Sequence, residues 1–476
     1  MSSTDVVPNS IDEDRMYGSE KQDNFRWIAK WLATTSSYVL KDNRDRVDPQ
    51  VEDAVSTLAE FAEIAHGSID PVWILDPLNR KILGRDGFPL AGYKALAGLR
   101  DGELIEDIKM VERFKGNVGD LQGYTALRMN PQTAARPCGT NSDTPKPQVI
   151  LAFSGTSNIT LGLYNLMTMP ARYQPLSGNK SNSNWKVHDG FQRVYQSIRD
   201  AAIQALNQAI EQIKEAYDGE WDLVITGHSL GTAVLTFFLL DLMHCEELQN
   251  KASAPPALKM PQIPLSTNVT LAKFGPPRVV NSSLADEYRE QMEQFRRRRG
   301  RDEALTDWAV IGHMDGVPAV PPTRFGYVHL CLRPFYLYHG KMYSIPQEER
   351  EHSLFLVEET TAQGAAARPP LYPKGGHNYY GARDMERLQR RMQAIRVDVE
   401  GTNSNLDRPA QPTTVKNPGS TQGTKKKSND RGLQPRLDDP PWVRLYLERE
   451  REEEQAWVAK ASGGSRWAFP IVYLLM

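Results

Sequence analysis

LVITGHSLGTAVLTFFLLDLM, running from Leu223 to Met243, is the stretch that decides how this chain folds. On hydropathy alone it matches the ~20 apolar residues of a membrane-spanning helix. Its punctuation argues otherwise, because Gly227, His228, Ser229 and Gly231 divide it into a short strand and a buried helix, and Asp241 lies inside the helical half. A strand that turns at once into a helix across Gly-X-Ser-X-Gly exposes the serine hydroxyl at the head of that helix. There the dipole and the free N–H groups favour developing negative charge. The glycines two residues before and two after the serine leave room for so sharp a turn.

Working outward, short apolar runs alternate with helical patterns, which implies an α/β domain with a mostly parallel central sheet flanked by helices. Val149–Phe153, Leu223–Ile225, Leu271–Phe274 and Trp308–Ile311 read as strands. From Phe191 to Tyr217 apolar residues recur every three or four positions, so a long amphipathic helix is expected, stopped by Asp218-Gly219. The helix from Leu230 to Met243 is apolar nearly all round, as under a sheet in a large domain.

The chain has 476 residues, a length that alone suggests about three domains. Its patterning reduces that to one: a domain over 26–400, a polar segment over 1–25 expected to be disordered, a linker over 401–440 and a helical, apolar tail over 441–476. The linker, rich in Pro, Ser, Thr and Asn and without aromatic residues, cannot bury enough apolar surface to offset its ordering entropy. WAFPIVYLLM at 467–476 spans half a membrane at most; docking on the body is the favoured reading and a membrane surface the other. With 57 basic and 59 acidic residues the net charge is -2, which excludes binding of nucleic acid through overall charge. Cys138, Cys245 and Cys331 cannot all pair, and no Cys/His cluster suggests a metal. The first thirty residues lack a basic region followed by an apolar run, so the expected address is the cytoplasm. The basic runs Arg296–Arg299 and Lys425–Lys427 read as solvated surface, with anionic lipid headgroups or nuclear import as alternatives.

A serine hydroxyl attacks only when a base takes its proton, so the turn at Ser229 calls for a carboxylate and a histidine further along the chain, in that order. His66 and His188 precede the serine, and His228, beside it, would direct its ring away from the hydroxyl. Asp315 closes WAVIGHMD and is followed by Gly316-Val317-Pro318, a loop leaving a strand, which makes it the candidate acid. His377, in the Gly-rich KGGHNY, follows 62 residues later and is the candidate base. His313, His329, His339 and His352 read as packing or surface residues.

The motifs AEFAEIAHGS near Ala59, AFSGTSN near Ala152, VHDGF at Val187, ITGHSLGTA at Ile225, KFGPPRVVN at Lys273, GHMDGVPAVPP at Gly312, GYVHL at Gly326 and GGHNYY at Gly375 together resemble the fungal-type class 3 lipase family of the α/β-hydrolase fold. The resemblance runs from about residue 59 to 380 and implies Ser229 as nucleophile, Asp315 as orienting acid and His377 as general base. It adds an oxyanion hole formed by Thr156, through its N–H and hydroxyl, and by the N–H of Leu230. It also implies a lid where Ile159 to Met169 is apolar, with Leu161, Leu163, Leu166 and Met167 facing substrate; a fixed core segment is the competing reading. The tryptophan common in family lids is missing, Gly316 stands where many relatives have proline, and Thr232 where many have glycine.

The expected activity is hydrolysis of carboxylic ester bonds in acylglycerols or related lipids, with no metal or organic cofactor, no nucleic acid and no transmembrane segment. The expected place is the cytoplasm, peripheral to internal membranes or lipid droplets. A phospholipase A1 or soluble carboxylesterase shares the same residues, and a lipase-like scaffold without turnover is the rival of another class.

Overall fold

The computed structural model describes residues 24–66, 108–118, 121–130, 146–156, 170–176, 182–249, 260–359, 374–381 and 383–385. All of these belong to one unit, Gln22–Gln389. The candidate lid positions, Cys138, the linker and the tail lie outside the described residues.

The central sheet contains β1 (Ile108–Lys115), β2 (Gln122–Arg128), β3 (Gln148–Phe153), β4 (Asp222–His228), β5 (Val269–Phe274), β6 (Leu305–Gly312), β7 (Arg333–Tyr338) and β8 (Lys341–Ser344), side by side in chain order. The five strands β3 to β7 pair in parallel. Antiparallel pairings of β1 with β2, β2 with β3 and β7 with β8 extend both edges, so the expected mostly parallel sheet is a parallel centre with antiparallel margins. Its helices are α1 (Arg26–Leu32), α2 (Pro49–Ala65), α3 (Asp189–Ala216), α4 (Leu230–Gln249) and α5 (Ser282–Arg299).

The strands at the centre are apolar throughout because both faces are covered. Alternate residues Val149, Leu151, Phe153, Leu223, Ile225 and Leu271 pack in one core with α3, α4 and α5. The intervening positions meet α2, where the Thr226 hydroxyl donates to the Leu58 carbonyl at 3.1 Å and the Tyr124 hydroxyl to that of Phe61 at 3.1 Å. Helix α4 is buried from Leu230 to Glu246, which explains its membrane-like composition. Asp241 within it is satisfied locally: Tyr173 and Tyr195 donate their hydroxyls at 2.9 and 2.6 Å and Leu176 its N–H at 2.8 Å. No helix among the described residues is long and apolar enough to cross a membrane.

Two expectations change. Asn24 and Phe25, placed in the disordered segment by their polar context, are part of the body: Asn24 is buried, and both contact the loop that carries His377. The run Arg296–Arg299 is also not simply a solvated face. Arg299 is buried, bonds Glu246 at 2.7 Å and lies over the Phe295 ring, while Arg296 donates to the Leu305 carbonyl at 2.7 Å. The helical period turns three of the four consecutive arginines toward the body, where Arg298 and Arg299 reach the buried Glu246 carboxylate and Arg296 the Leu305 carbonyl.

Candidate active site

In the parallel sheet, Phe153, Gly227 and Lys273 are in register, as are His228 and Phe274. The chain therefore leaves β3, β4 and β5 at one common edge, the carboxyl edge where open α/β sheets place their sites. Ser229 follows β4 at once with φ of 55° and heads α4, an unfavourable conformation for a residue with a Cβ. It is held on both sides: its N–H donates to the Phe274 carbonyl at 2.9 Å, and its own carbonyl accepts from the Thr232 N–H at 2.9 Å and the Thr232 hydroxyl at 2.6 Å. Threonine at 232 thus fastens the turn. A Cβ on Gly231 would stand 2.4 Å from the Ser154 carbonyl oxygen, and one on Gly227 would stand 3.0 Å from the backbone of Gly231. Neither position admits a side chain without backbone movement.

Asp315 follows β6 on a turn in which Met314 has φ of 55°. Its carboxylate is fully buried. Oδ1 accepts from the Val317 N–H at 2.8 Å, both oxygens lie 3.0 Å from His377 Nδ1, and Oδ2 accepts a short hydrogen bond from the Tyr380 hydroxyl. The same hydroxyl accepts from the Gly312 N–H at 3.0 Å. Burial, followed by the Asp315 charge, pushes the Tyr380 phenol far above its ordinary range, so it remains a donor. Gly275, with φ of 59°, leaves the space these groups occupy, since a Cβ there would lie 2.8 Å from Asp315 Oδ2 and 2.9 Å from His377 Cε1.

The His377 loop is pinned from several elements. The Gly376 N–H donates to the His313 carbonyl at 2.8 Å, the His377 N–H to the Asn24 carbonyl at 3.1 Å, and the Asn378 N–H to Asn24 Oδ1 at 3.0 Å. Arg26 donates to the Gly375 carbonyl at 3.2 Å, and Phe25 meets the His377 ring edge-on at 5.2 Å. Glycine at 316 follows from the same packing, because a Cβ there would lie 2.4 Å from the Phe25 carbonyl oxygen and 2.8 Å from the Ala29 nitrogen. With Nδ1 on Asp315, the ring's Nε2 is buried and has no hydrogen-bond partner among the described residues.

Two residues passed over in the sequence lie within this site. His66, at the end of α2, and His228, beside Ser229, are both buried, with His66 Nε2 2.8 Å from His228 Nδ1. The His228 ring lies 4.5 Å from that of His377 and its Nε2 is 2.8 Å from the His377 carbonyl oxygen. Gly155 adjoins Ser229, for its Cβ would lie 3.1 Å from that of Ser229, and its N–H donates to His66 Nε2 at 3.1 Å. The structure thus brings Asp315, His377 and the neighbourhood of Ser229 together. It places Thr156, half-buried, one residue beyond Gly155, and Leu230, buried, at the first position of α4. Among the described residues no group of His, Cys, Asp and Glu is arranged to hold a metal.

Residues 150–325 match the family model for lipase (class 3), a span that includes Ser229 and Asp315. The chain thus carries a segment similar to the class 3 lipases. It is 26% identical to a lipase of Rhizomucor miehei over 227 residues, 48% of this chain and 48% of that protein. It is 24% identical to the chloroplastic phospholipase A(1) DAD1 of Arabidopsis thaliana over 276 residues, 55% and 56% of the two chains. The chain thus spans about half the length of the relatives it matches. Among solved structures, a Rhizomucor miehei lipase propeptide complex aligns with TM-score 0.43 and 17% identity, covering 74% of this chain and 86% of that one. Lip2 lipase from Yarrowia lipolytica aligns with TM-score 0.44 and 16% identity, covering 67% and 90%.

Proposed function

We propose that this chain hydrolyses carboxylic ester bonds of acylglycerols or related lipids through an acyl-enzyme on Ser229. The observation that carries the reading is the buried His377 ring, with Nδ1 on Asp315 and Nε2 unpartnered among the described residues, tilted against the ring of the residue that precedes a strained serine at a helix N-terminus. His377 Nε2 takes the hydroxyl proton as Ser229 Oγ bonds to the ester carbonyl carbon, and the tetrahedral oxyanion is held by the N–H groups of Thr156 and Leu230. Collapse breaks the bond to the alcohol, which leaves with the proton from His377. Water, deprotonated by the same nitrogen, then releases the acid and restores the serine. Asp315 fixes the histidine tautomer and stabilises the imidazolium, and Tyr380 and the Val317 N–H hold its carboxylate in place.

Ser229→Ala is expected to abolish both ester hydrolysis and labelling by a fluorophosphonate; retention of either refutes the assignment of Ser229, and absence of both in the wild type leaves the scaffold reading. A phospholipase A1 activity is the second reading, motivated by the Arabidopsis relative. Paired assays on glycerides, phospholipids and short soluble esters decide between them. Leu161, Leu163, Leu166 and Met167 are proposed as the apolar cover that meets substrate, to be dropped if rate rises no more steeply above the substrate's solubility limit than below it. We place the enzyme in the cytoplasm, against internal membranes or lipid droplets. Cys245 and Cys331 are both free and buried, without a disulfide between them. Cell fractionation with a tagged protein tests the placement.

A further inference from the structure

A chain of contacts crosses the site behind the nucleophile. It begins at the Gly155 N–H, passes 3.1 Å to His66 Nε2, 2.8 Å to His228 Nδ1, and from His228 Nε2 2.8 Å to the carbonyl oxygen of His377. Its two ends are the turn carrying Thr156 and the loop carrying the base, and its middle is the residue bonded to Ser229. Neither His66 nor His228 has a part in the proton transfers derived above, yet both are almost fully buried at the centre of the site. We propose that His66 and His228 are positioning residues, an imidazole pair that holds the His377 loop through the His228 hydrogen bond and backs the oxyanion turn at Gly155 through contact with the His66 ring, so that the two are kept in register across Ser229. The proposal rests on the hydrolase reading of the site.

The protons of this pair are constrained by valence. A carbonyl oxygen only accepts, so His228 Nε2 must carry a hydrogen. Burial holds both rings below the ordinary histidine range, His66 down to about 3, and a positive His377 lowers them further. Each neutral ring has one N–H. With it on Nε2, His228 presents a lone pair at Nδ1, which is satisfied only by an N–H on His66 Nε2. That same nitrogen then cannot accept from Gly155. The two contacts at His66 Nε2 are therefore alternatives for an imidazole, whereas a carboxamide, with an oxygen acceptor and an N–H donor, could make both at once. A phenyl ring could make neither.

The test compares the full chain as wild type, His66→Gln and His66→Phe on a soluble short-chain ester, with melting temperature measured in parallel. If the pair positions the site, His66→Phe loses roughly 10- to 100-fold in kcat with KM within about twofold, the expected pattern when an arrangement needed in the transition state is disturbed. His66→Gln stays within about threefold of wild type. Wild-type kcat in a folded His66→Phe, equal losses in both variants, or a loss confined to KM would each overturn the proposal. Histidine nitrogen NMR on the wild type supplies a readout independent of turnover and of whether His66→Phe folds: the His228 ring should be neutral with its hydrogen on Nε2, and a hydrogen on Nδ1 alone overturns the clamp. Failure of the hydrolase reading is recognised separately, as absence of Ser229-dependent turnover in the wild type.

Discussion

Acid should destabilise this fold through its buried imidazoles, and His66→Gln isolates the contribution of one of them. His66 is 4% exposed and its protonation is pushed from the ordinary 6.5 down to about 3, chiefly by burial and then by His377. In the unfolded chain the same ring takes up a proton once the pH drops below its ordinary value, so acid favours the unfolded state. The stability that a neutral buried ring preserves is complete above about pH 6.5 and is lost progressively as the pH falls toward 3. At about pH 5, some 1.5 units below the unfolded value, the loss is about 2 kcal/mol at ~1.36 kcal/mol per unit. Glutamine does not titrate, so His66→Gln removes this term and leaves every other group in place. Urea unfolding followed by tryptophan fluorescence at about pH 8 and about pH 5 reads the effect: wild type should lose about 2 kcal/mol more than the variant over that interval. An equal loss in both proteins would mean that the His66 ring is not held neutral in the folded state, and the tautomer reasoning above would fall with it.

Tyr380→Phe removes the hydroxyl donor of Asp315 and leaves the Gly312 N–H without its acceptor. About 10-fold or more should be lost from kcat, with little change in KM, in steady-state assays. Gly231→Ala forces a methyl group to within 2.4 Å of the Ser154 carbonyl and 2.7 Å of that of Phe153. Because backbone must shift, a cost of about 1–3 kcal/mol in stability and a near-complete loss of fluorophosphonate labelling are expected; a variant that labels at the wild-type rate contradicts the packing described for the turn. Lys273, whose ammonium pairs with buried Asp307 at 2.7 Å and donates to the Leu330 carbonyl, belongs to the frame and not to the site. Lys273→Met should cost about 3–5 kcal/mol in thermal or chemical unfolding by leaving Asp307 buried without its counter-ion, while a folded population keeps its kcat.

Much of the fold was legible because its signals are local. The strand–serine–helix turn, the amphipathic period from Phe191 to Tyr217 and the apolar runs at 149–153 and 271–274 each report on a few neighbouring residues, and the elements are observed there. Asp315 and His377 could be singled out because a serine that needs a base constrains the order of its partners along the chain. Chain order does not single out His66 and His228 for the same reason: it says nothing of a ring that reaches the site from the end of α2, or of one that turns away from the serine and onto the carbonyl of His377. Asn24 and Phe25 were assigned to the polar end, since their contacts are with a loop more than 350 residues away. The arginine run reads as solvated surface in sequence because nothing local announces the buried Glu246 that receives it.

By itself, then, the sequence determined the elements, the candidate nucleophile and the candidates that could serve it, because periodicity, glycine spacing and the chemistry of a hydroxyl nucleophile are properties of short segments. Only the tertiary structure decided what surrounds them: the carboxyl edge where the ends of β3 to β5 coincide, the Tyr380 and Val317 donors on Asp315, and the imidazole pair between the Gly155 turn and the His377 loop. Those depend on burial and on distances of about 3 Å between residues far apart in the chain, and such distances arise only when the sheet and its helices pack.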